Sequence, residues 1–272
     1  NDCFISSSID KTIKLWKKNK LSHTFIEHSD WVTCVKIRND NQQFLSGCVS
    51  SVAKVWDVTT QRVIASIINN RKHNILSTVN SLNYLKTNPN IFVITLRSGE
   101  IKFLDLRMQS KRNYNNDLFR SVGLIHNFKA HDNKLNLARI NNSDNYLISS
   151  GRDSSIRLWD IRNLSDNQEK NKFITEYNKH RCIGYNIECN FYINDKYILS
   201  GSENNNIYIY DINNSNNYKE IPVQQKCVNL IKPIPNTYNF IYSALEDICI
   251  FYCSPSKNIA KSYEKRYDDK EN

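Results

Sequence analysis

Glycine, proline and methionine are scarce in this chain, whose 272 residues include six glycines, five prolines and one methionine. So few glycines leave little material for a glycine-rich loop around a phosphate group, and no such loop motif occurs. There is no run of roughly 18 apolar residues, so we predict no membrane-spanning helix. The N-terminus has no basic segment followed by an apolar one, and nothing indicates secretion. We therefore expect an intracellular protein, nuclear or cytoplasmic, that does not contact a membrane.

The eight cysteines contain no C-x-x-C pair, and several lie within apolar, strand-like runs. This pattern indicates buried free thiols in a reducing compartment. The spacing of ligands in a zinc site is lacking. We accordingly expect neither a metal ion nor another cofactor.

One short pattern occurs six times along the chain: a polar turn, then a β-rich run that closes on a large aromatic or apolar residue. The clearest copy spans Ser149–Asp160. The closing residues are Trp16, Trp56, Leu104, Trp159, Tyr210 and Phe251. Their spacing of about 40 to 55 residues, with several short strands per copy, is what a radial array of four-stranded sheets requires.

The second copy is complete. It predicts four strands, at Trp31–Ile37, Phe44–Cys48, Val52–Asp57 and Arg62–Ile67. Counted in this way, the chain holds five full units and one partial unit. We predict an all-β propeller of seven blades, of which about one blade and one strand precede Asn1. The propeller would occupy residues 1–253, with a charged tail at 254–272.

The set His131, Ser149, Asp153 and Trp159 resembles the WD-repeat (WD40) β-propeller family. In that family these residue types form a buried hydrogen-bonded chain, because imidazole, hydroxyl, carboxylate and indole each supply a donor or acceptor that the next one lacks. A second set, His28, Ser46 and Trp56, has Ser50 in place of the aspartate. The fifth copy has His180, Ser200, Asn204 and Tyr210 at these places.

The segment Trp159-Asp160-Ile161-Arg162 fits the pattern WDxR, and Leu104-Asp105-Leu106-Arg107 is similar to it, with leucine in place of tryptophan. They resemble the motif of WD-repeat substrate receptors of cullin-RING ubiquitin ligases, whose arginine lies on the rim that meets the adaptor of the ligase. The resemblance implies that Asp105, Arg107, Asp160 and Arg162 bind an adaptor, since a guanidinium can form paired hydrogen bonds to a carboxylate. In the alternative interpretation each arginine simply pairs with an aspartate of its own or the adjoining blade.

The order of these segments is similar to that of the Cockayne syndrome A type of receptor. The similar segments are Phe4–Thr12, Leu104–Arg107, Lys129–Asn136, Ile156–Trp159 and Ile207–Tyr210, with an insertion at Gln109–Asn127. This resemblance implies a nuclear role in transcription-coupled DNA repair. The N-terminal adaptor-binding segment of those receptors is not in this sequence.

No residue pattern favours catalysis. The trio His131, Ser149 and Asp153 has the spacing of a blade network rather than of a nucleophilic site. We therefore expect a protein-interaction scaffold that is not an enzyme, most specifically a ligase substrate receptor. Two alternatives remain: a scaffold in another complex (splicing, ribosome maturation or trafficking), and a basic propeller associated with nucleic acid, directly or through a larger complex, as the net charge of +10 allows.

Overall fold

The computed structural model describes residues 3–68, 77–109, 122–165, 171–223, 227–235, 237–244, 247–252 and 263–266. Over these residues the chain consists of β-strands, turns and one short 3-10 helix. It divides into two compact units. The first is Asn1–Ala138 with Asn163–Asn171, and the second is Arg139–Arg162 with Lys172–Asn272.

The first unit is built from antiparallel sheets of consecutive strands. These strands are β1 (Cys3–Ser7), β2 (Ile13–Lys17), β3 (Lys20–Phe25), β4 (Val32–Ile37), β5 (Gln43–Cys48), β6 (Val52–Asp57), β7 (Arg62–Ile68), β8 (Val79–Tyr84), β9 (Ile91–Leu96), β10 (Glu100–Gln109) and β11 (Val122–Lys129). They form the sheets β1-β2-β3, β4-β5-β6-β7 and β8-β9-β10-β11. The next strand, β12 (Leu135–Ile140), contains the boundary between the units, after Ala138.

Apolar residues of successive sheets in the first unit share common cores. In one of these, Phe44 of β5 stacks on Trp56 of β6, with ring centroids 5.6 Å apart, and Phe25 of β3 meets both rings edge-on. Phe44 is fully buried, and burial of a phenylalanine side chain stabilises a protein by roughly 1.5–3 kcal/mol. A second core joins residues of the sheets β4–β7 and β8–β11. Each sheet therefore depends on its neighbour to shield its apolar face, as blades do.

The second unit follows the same plan. Its strands are β13 (Tyr146–Gly151), β14 (Ile156–Asp160), β15 (Thr175–Tyr177), β16 (Cys189–Tyr192), β17 (Tyr197–Ser200), β18 (Asn206–Asp211), β19 (Asn214–Pro222), β20 (Val228–Pro233), β21 (Phe240–Ala244), β22 (Asp247–Tyr252) and β23 (Tyr263–Arg266). Leu147 of β13 lies opposite Trp159 of β14, and the 3-10 helix η1 (Ile161–Asn163) follows. One core joins residues of β16–β19 with residues of β20 and β21.

Five of the described sheets have four strands and one has three. This agrees with the five full units and one partial unit that the sequence repeats predict. Five of the six closing residues lie in the strand that follows a serine-containing one. The exception is Leu104 of β10, because β9 before it contains no serine. Turn residues adopt the left-handed conformation without glycine, for example Asn41, Asp144 and Asn205, because Asn and Asp tolerate positive φ.

The structure differs from the sequence prediction at two places. Val122–Asn127, expected within the insertion, belongs to β11, where Leu124 lies opposite Leu104. Tyr263–Arg266, expected within the tail, forms β23 and pairs with β22. Both are outer strands, which are held by backbone hydrogen bonds that no apolar sequence pattern reports. The middle of the insertion, residues 110–121, lies outside the described residues.

Cys48, Cys182, Cys189 and Cys227 are buried free thiols, and burial raises the pKa of the Cys189 thiol to about 12. In the part of the chain that the structure describes, no helix is long and apolar enough to cross a membrane.

Candidate functional site

Arg107 and Asp105 form a two-residue clamp near the end of β10. The backbone N–H of Arg107 donates to Asp105 Oδ1 at 2.8 Å, Nε donates to the same oxygen at 3.1 Å, and Nη2 donates to Oδ2 at 2.7 Å. These hydrogen bonds lower the pKa of the buried Asp105 carboxyl and raise the pKa of Arg107. The carboxylate thus fixes the guanidinium in one orientation.

Arg162 and Asp160 repeat this geometry where β14 ends and η1 begins. The backbone N–H and Nε of Arg162 donate to Asp160 Oδ1 at 3.0 and 2.9 Å, and Nη2 donates to Oδ2 at 2.8 Å. The guanidinium also lies 5.5 Å from the centroid of the Tyr146 ring, a cation–π arrangement. Hydrogen bonding to Asp160 raises the pKa of Arg162.

Each arginine is hydrogen-bonded to the aspartate of its own motif. This is the pairing that the alternative interpretation of the two motifs predicts. It does not bury the arginines: 59% of the Arg107 side chain and 54% of the Arg162 side chain are exposed. Each clamp therefore combines a largely buried carboxylate with a positioned guanidinium that is exposed to solvent.

The second blade contains a buried chain of three side chains. His28 Nε2 lies 2.6 Å from Ser46 Oγ, and Trp56 Nε1 donates to the same oxygen at 2.7 Å. His28 Nδ1 is buried and has no hydrogen-bond partner. Ser50, which replaces the expected aspartate, instead lies with its Oγ 3.1 Å from Cys48 Sγ. Burial, aided by the charge of Lys54, lowers the pKa of His28 to about 4.

The fourth blade retains the serine–tryptophan pair, in which Trp159 Nε1 donates to Ser149 Oγ at 3.0 Å. Asp153 accepts a hydrogen bond from Ser155 Oγ at 2.8 Å and lies 3.7 Å from Arg157 Nη2. His131 is buried in the first unit. The complete four-residue network of this blade stays a prediction.

Sequence reasoning missed one member of this series, and the eroded fifth copy has hydrogen bonds of its own. Trp16 Nε1 donates to Ser6 Oγ at 2.9 Å, and the ten-residue spacing common to the three serine–tryptophan pairs was the available signal. In the fifth blade Tyr210 replaces tryptophan, and its hydroxyl accepts a hydrogen bond from the backbone N–H of His180 at 2.9 Å. Ser200 donates to the carbonyl of Gly201 instead. Burial lowers the pKa of His180 to about 4.

Residues 19–57 and 123–160 match the family model described as "WD domain, G-beta repeat". No group of three or more His, Cys, Asp or Glu side chains suited to a metal ion occurs among the described residues.

Three relatives illustrate the range of similar proteins. Pre-mRNA-processing factor 17 of Saccharomyces cerevisiae is 23% identical over 78% of this chain and 52% of its own length. E3 ubiquitin-protein ligase COP1 of Arabidopsis thaliana is 27% identical over 64% of this chain and 22% of its own length. The DDB1- and CUL4-associated factor 11 homolog of Caenorhabditis briggsae is 26% identical over 49% of this chain and 22% of its own length.

The chain thus matches about half or less of the length of each of these relatives. The two segments that fit the family model contain the Ser46–Trp56 and Ser149–Trp159 pairs, so the sequence match and the buried hydrogen bonds coincide. This chain is therefore a WD-repeat protein of the β-propeller fold, the architecture of a protein-interaction scaffold.

Proposed function

We propose that this WD-repeat scaffold is a substrate receptor of a cullin-RING E3 ubiquitin ligase, and that Asp105, Arg107, Asp160 and Arg162 bind the adaptor of that ligase. The observation that carries the proposal is the same clamp found twice, with an aspartate fixing an arginine that stays more than half exposed. Further support comes from the resemblance to Cockayne syndrome A-type receptors, on which we base a nuclear role in transcription-coupled DNA repair.

The chemistry of the clamp suits recognition of an acidic surface. A guanidinium has five N–H donors in a planar fork, and the aspartate occupies one edge of it. Because the side chain is already held in place, an adaptor carboxylate would bind it with a smaller loss of conformational entropy. Charge-assisted hydrogen bonds of this kind contribute roughly 1.5–3 kcal/mol each.

The names of two relatives agree with this proposal. One is an E3 ubiquitin-protein ligase, and the other is named for its association with DDB1 and CUL4. DDB1 is therefore the adaptor to test first.

The test is capture of purified DDB1 by the full chain and by the double variant Arg107→Glu/Arg162→Glu. We expect the variant to bind at least tenfold more weakly, because two positioned cations become anions. The matched control is Arg62→Glu/Lys172→Glu, which makes the same charge change at two other exposed positions, one in each unit. Undiminished capture by the clamp variant, with an unchanged melting temperature, would reject the proposal.

A second candidate is a scaffold subunit of a splicing complex, which the long match to pre-mRNA-processing factor 17 favours. Affinity capture from native nuclear extract followed by mass spectrometry separates the two. A splicing scaffold should recover splicing factors equally well with the wild-type chain and with the clamp variant. A ligase receptor should recover cullin and adaptor with the wild-type chain only.

A further inference from the structure

The segment Arg181–Asn186, here named the 181–186 loop, joins β15 to β16 in the second unit and has a fixed base. Cys182 is fully buried and packs with Ile187 and Cys227. Its backbone N–H donates to Ser154 Oγ at 2.9 Å. The loop is thus anchored by a small apolar cluster and a hydrogen bond to a neighbouring turn.

Glu203 fixes the tip of this loop. The backbone N–H groups of Ile183, Gly184 and Tyr185 all donate to Glu203 Oε1, each at 2.8 Å. Hydrogen bonds to an ionised carboxylate are stronger than those between neutral groups. Three successive amides held by one oxygen leave the loop backbone little freedom, so a partner that binds it would lose little further entropy.

The fixed tip presents apolar side chains to solvent beside positive charge. Ile183 is 58% exposed and Tyr185 is 48% exposed. Arg181 is exposed, and its side chain has no hydrogen bond or ion pair with the described residues. Arg152 reaches the same loop, where its Nη2 donates to Asn186 Oδ1 at 2.8 Å.

The nearby acids are already engaged. Glu203 Oε1 accepts the three loop amides, and Asp153 is occupied by Ser155 and Arg157. Beside these engaged acids, the exposed Arg181 presents a positive charge to a partner, in line with the net charge of +10 of the whole chain. Rigid aromatic and aliphatic anchors next to arginine are the residue types that dominate binding energy at protein interfaces.

We propose that the 181–186 loop, together with Arg152, is a recognition surface for an extended peptide of another protein in which acidic residues flank a large apolar side chain. The apolar residue would pack on Ile183 and Tyr185, and the acids would pair with Arg181 and Arg152. Charge complementarity of this kind also raises the association rate.

The surface is distinct from the arginine clamp of the same unit. Arg152 precedes β14 and Arg162 follows it, so the two lie at opposite ends of that strand. The loop and the clamp can therefore be occupied at the same time. The inference does not rest on the ligase proposal.

The first test uses a synthetic array of ten-residue peptides that combine Asp or Glu with Leu, Phe or Trp, and a matched array with each acid replaced by Lys. We expect the full chain to bind members of the acidic array and not their lysine counterparts. The affinity of a bound peptide should fall at least tenfold in Ile183→Ala/Tyr185→Ala and in Arg181→Glu. The control Ile174→Ala/Tyr238→Ala removes side chains that are equally exposed, 54% and 49%, and should change affinity less than twofold.

A second test examines the positioning role of Glu203. In Glu203→Ala the amides of residues 183–185 should exchange with solvent faster and the peptide should bind more weakly, although every contacting side chain is retained. Glu203→Gln keeps one acceptor oxygen and should restore part of both properties. Equal exchange and equal affinity in all three proteins would contradict this role.

Three outcomes would overturn the proposal that the 181–186 loop is a recognition surface. The first is that no acidic peptide binds, and the second is that peptides bind the Ile183→Ala/Tyr185→Ala variant as tightly as the wild type. The third is that duplex DNA binds, and that Arg181→Glu abolishes this binding while the apolar variant retains it, because the surface would then contact nucleic acid. The clamp variant Arg107→Glu/Arg162→Glu should bind the peptides normally, so failure of the ligase proposal and failure of this one are distinguishable.

Discussion

The buried His28 should make the fold sensitive to mild acid. Its Nε2 faces Ser46, its Nδ1 has no partner, and burial lowers its pKa from 6.5 to about 4. The unfolded chain takes up this proton near pH 6.5, whereas the folded chain does so only near pH 4. The contribution of His28 to stability is therefore complete above pH 6.5 and is lost as the pH falls through this window.

The magnitude follows from the two pKa values. At pH 5 the unfolded histidine is almost fully protonated and the folded one is mostly neutral, which corresponds to about 2 kcal/mol of lost stability relative to pH 7.5. His28→Gln removes the titrating group but keeps an amide that can bond Ser46. The variant should be less stable than the wild type at pH 7.5. Between pH 7.5 and pH 5 the free energy of unfolding of the wild type should fall by about 2 kcal/mol more than that of the variant.

Urea unfolding at pH 7.5 and pH 5, followed by tryptophan fluorescence, measures both differences. Other titrating groups contribute equally to both proteins, so the difference between the two pH dependences isolates His28. NMR titration of the imidazole gives the folded pKa directly. Identical pH dependences, or an imidazole that titrates near 6.5 in the folded protein, would refute the reasoning.

Three further predictions concern the first unit. Ser50→Asp places a carboxylate where the fourth blade has one and should raise the pKa of His28 in the same NMR titration; an unchanged pKa would mean that the carboxylate does not reach Nδ1. Gly99→Ala should lower the free energy of unfolding by about 3 kcal/mol or more, because φ is +96° and the new Cβ would collide with the carbonyl oxygen of His131; a melting temperature within a degree of the wild type would contradict this. Phe92→Ala empties a fully buried site and should cost about 3–5 kcal/mol in urea unfolding; a loss below 1 kcal/mol would show that the core collapses around the gap.

Strands with an apolar pattern were predictable from sequence, whereas an edge strand without one was not. The predicted Phe44–Cys48, Val52–Asp57 and Arg62–Ile67 agree with β5, β6 and β7 to within one residue, because buried apolar side chains recur along each of these strands. Tyr263–Arg266 gave no such signal, since an edge strand is specified by the backbone of its neighbour.

The candidate site was predictable in residue identity but not in geometry. The WDxR pattern singled out Arg107 and Arg162, yet their exposure and their pairing with Asp105 and Asp160 required coordinates. Sequence offered no indication of the role of Glu203, because its three amide partners are 18 to 20 residues away along the chain.

Sequence patterns alone predict a series of short antiparallel sheets with serine–tryptophan pairs, because strand alternation and ten-residue spacing are local properties of the chain. Three properties follow only from the folded chain: which polar atoms are satisfied, which histidines are held neutral and which loop is fixed by a distant carboxylate. Those properties depend on the dielectric environment and on contacts between segments far apart in sequence, and no local pattern encodes them.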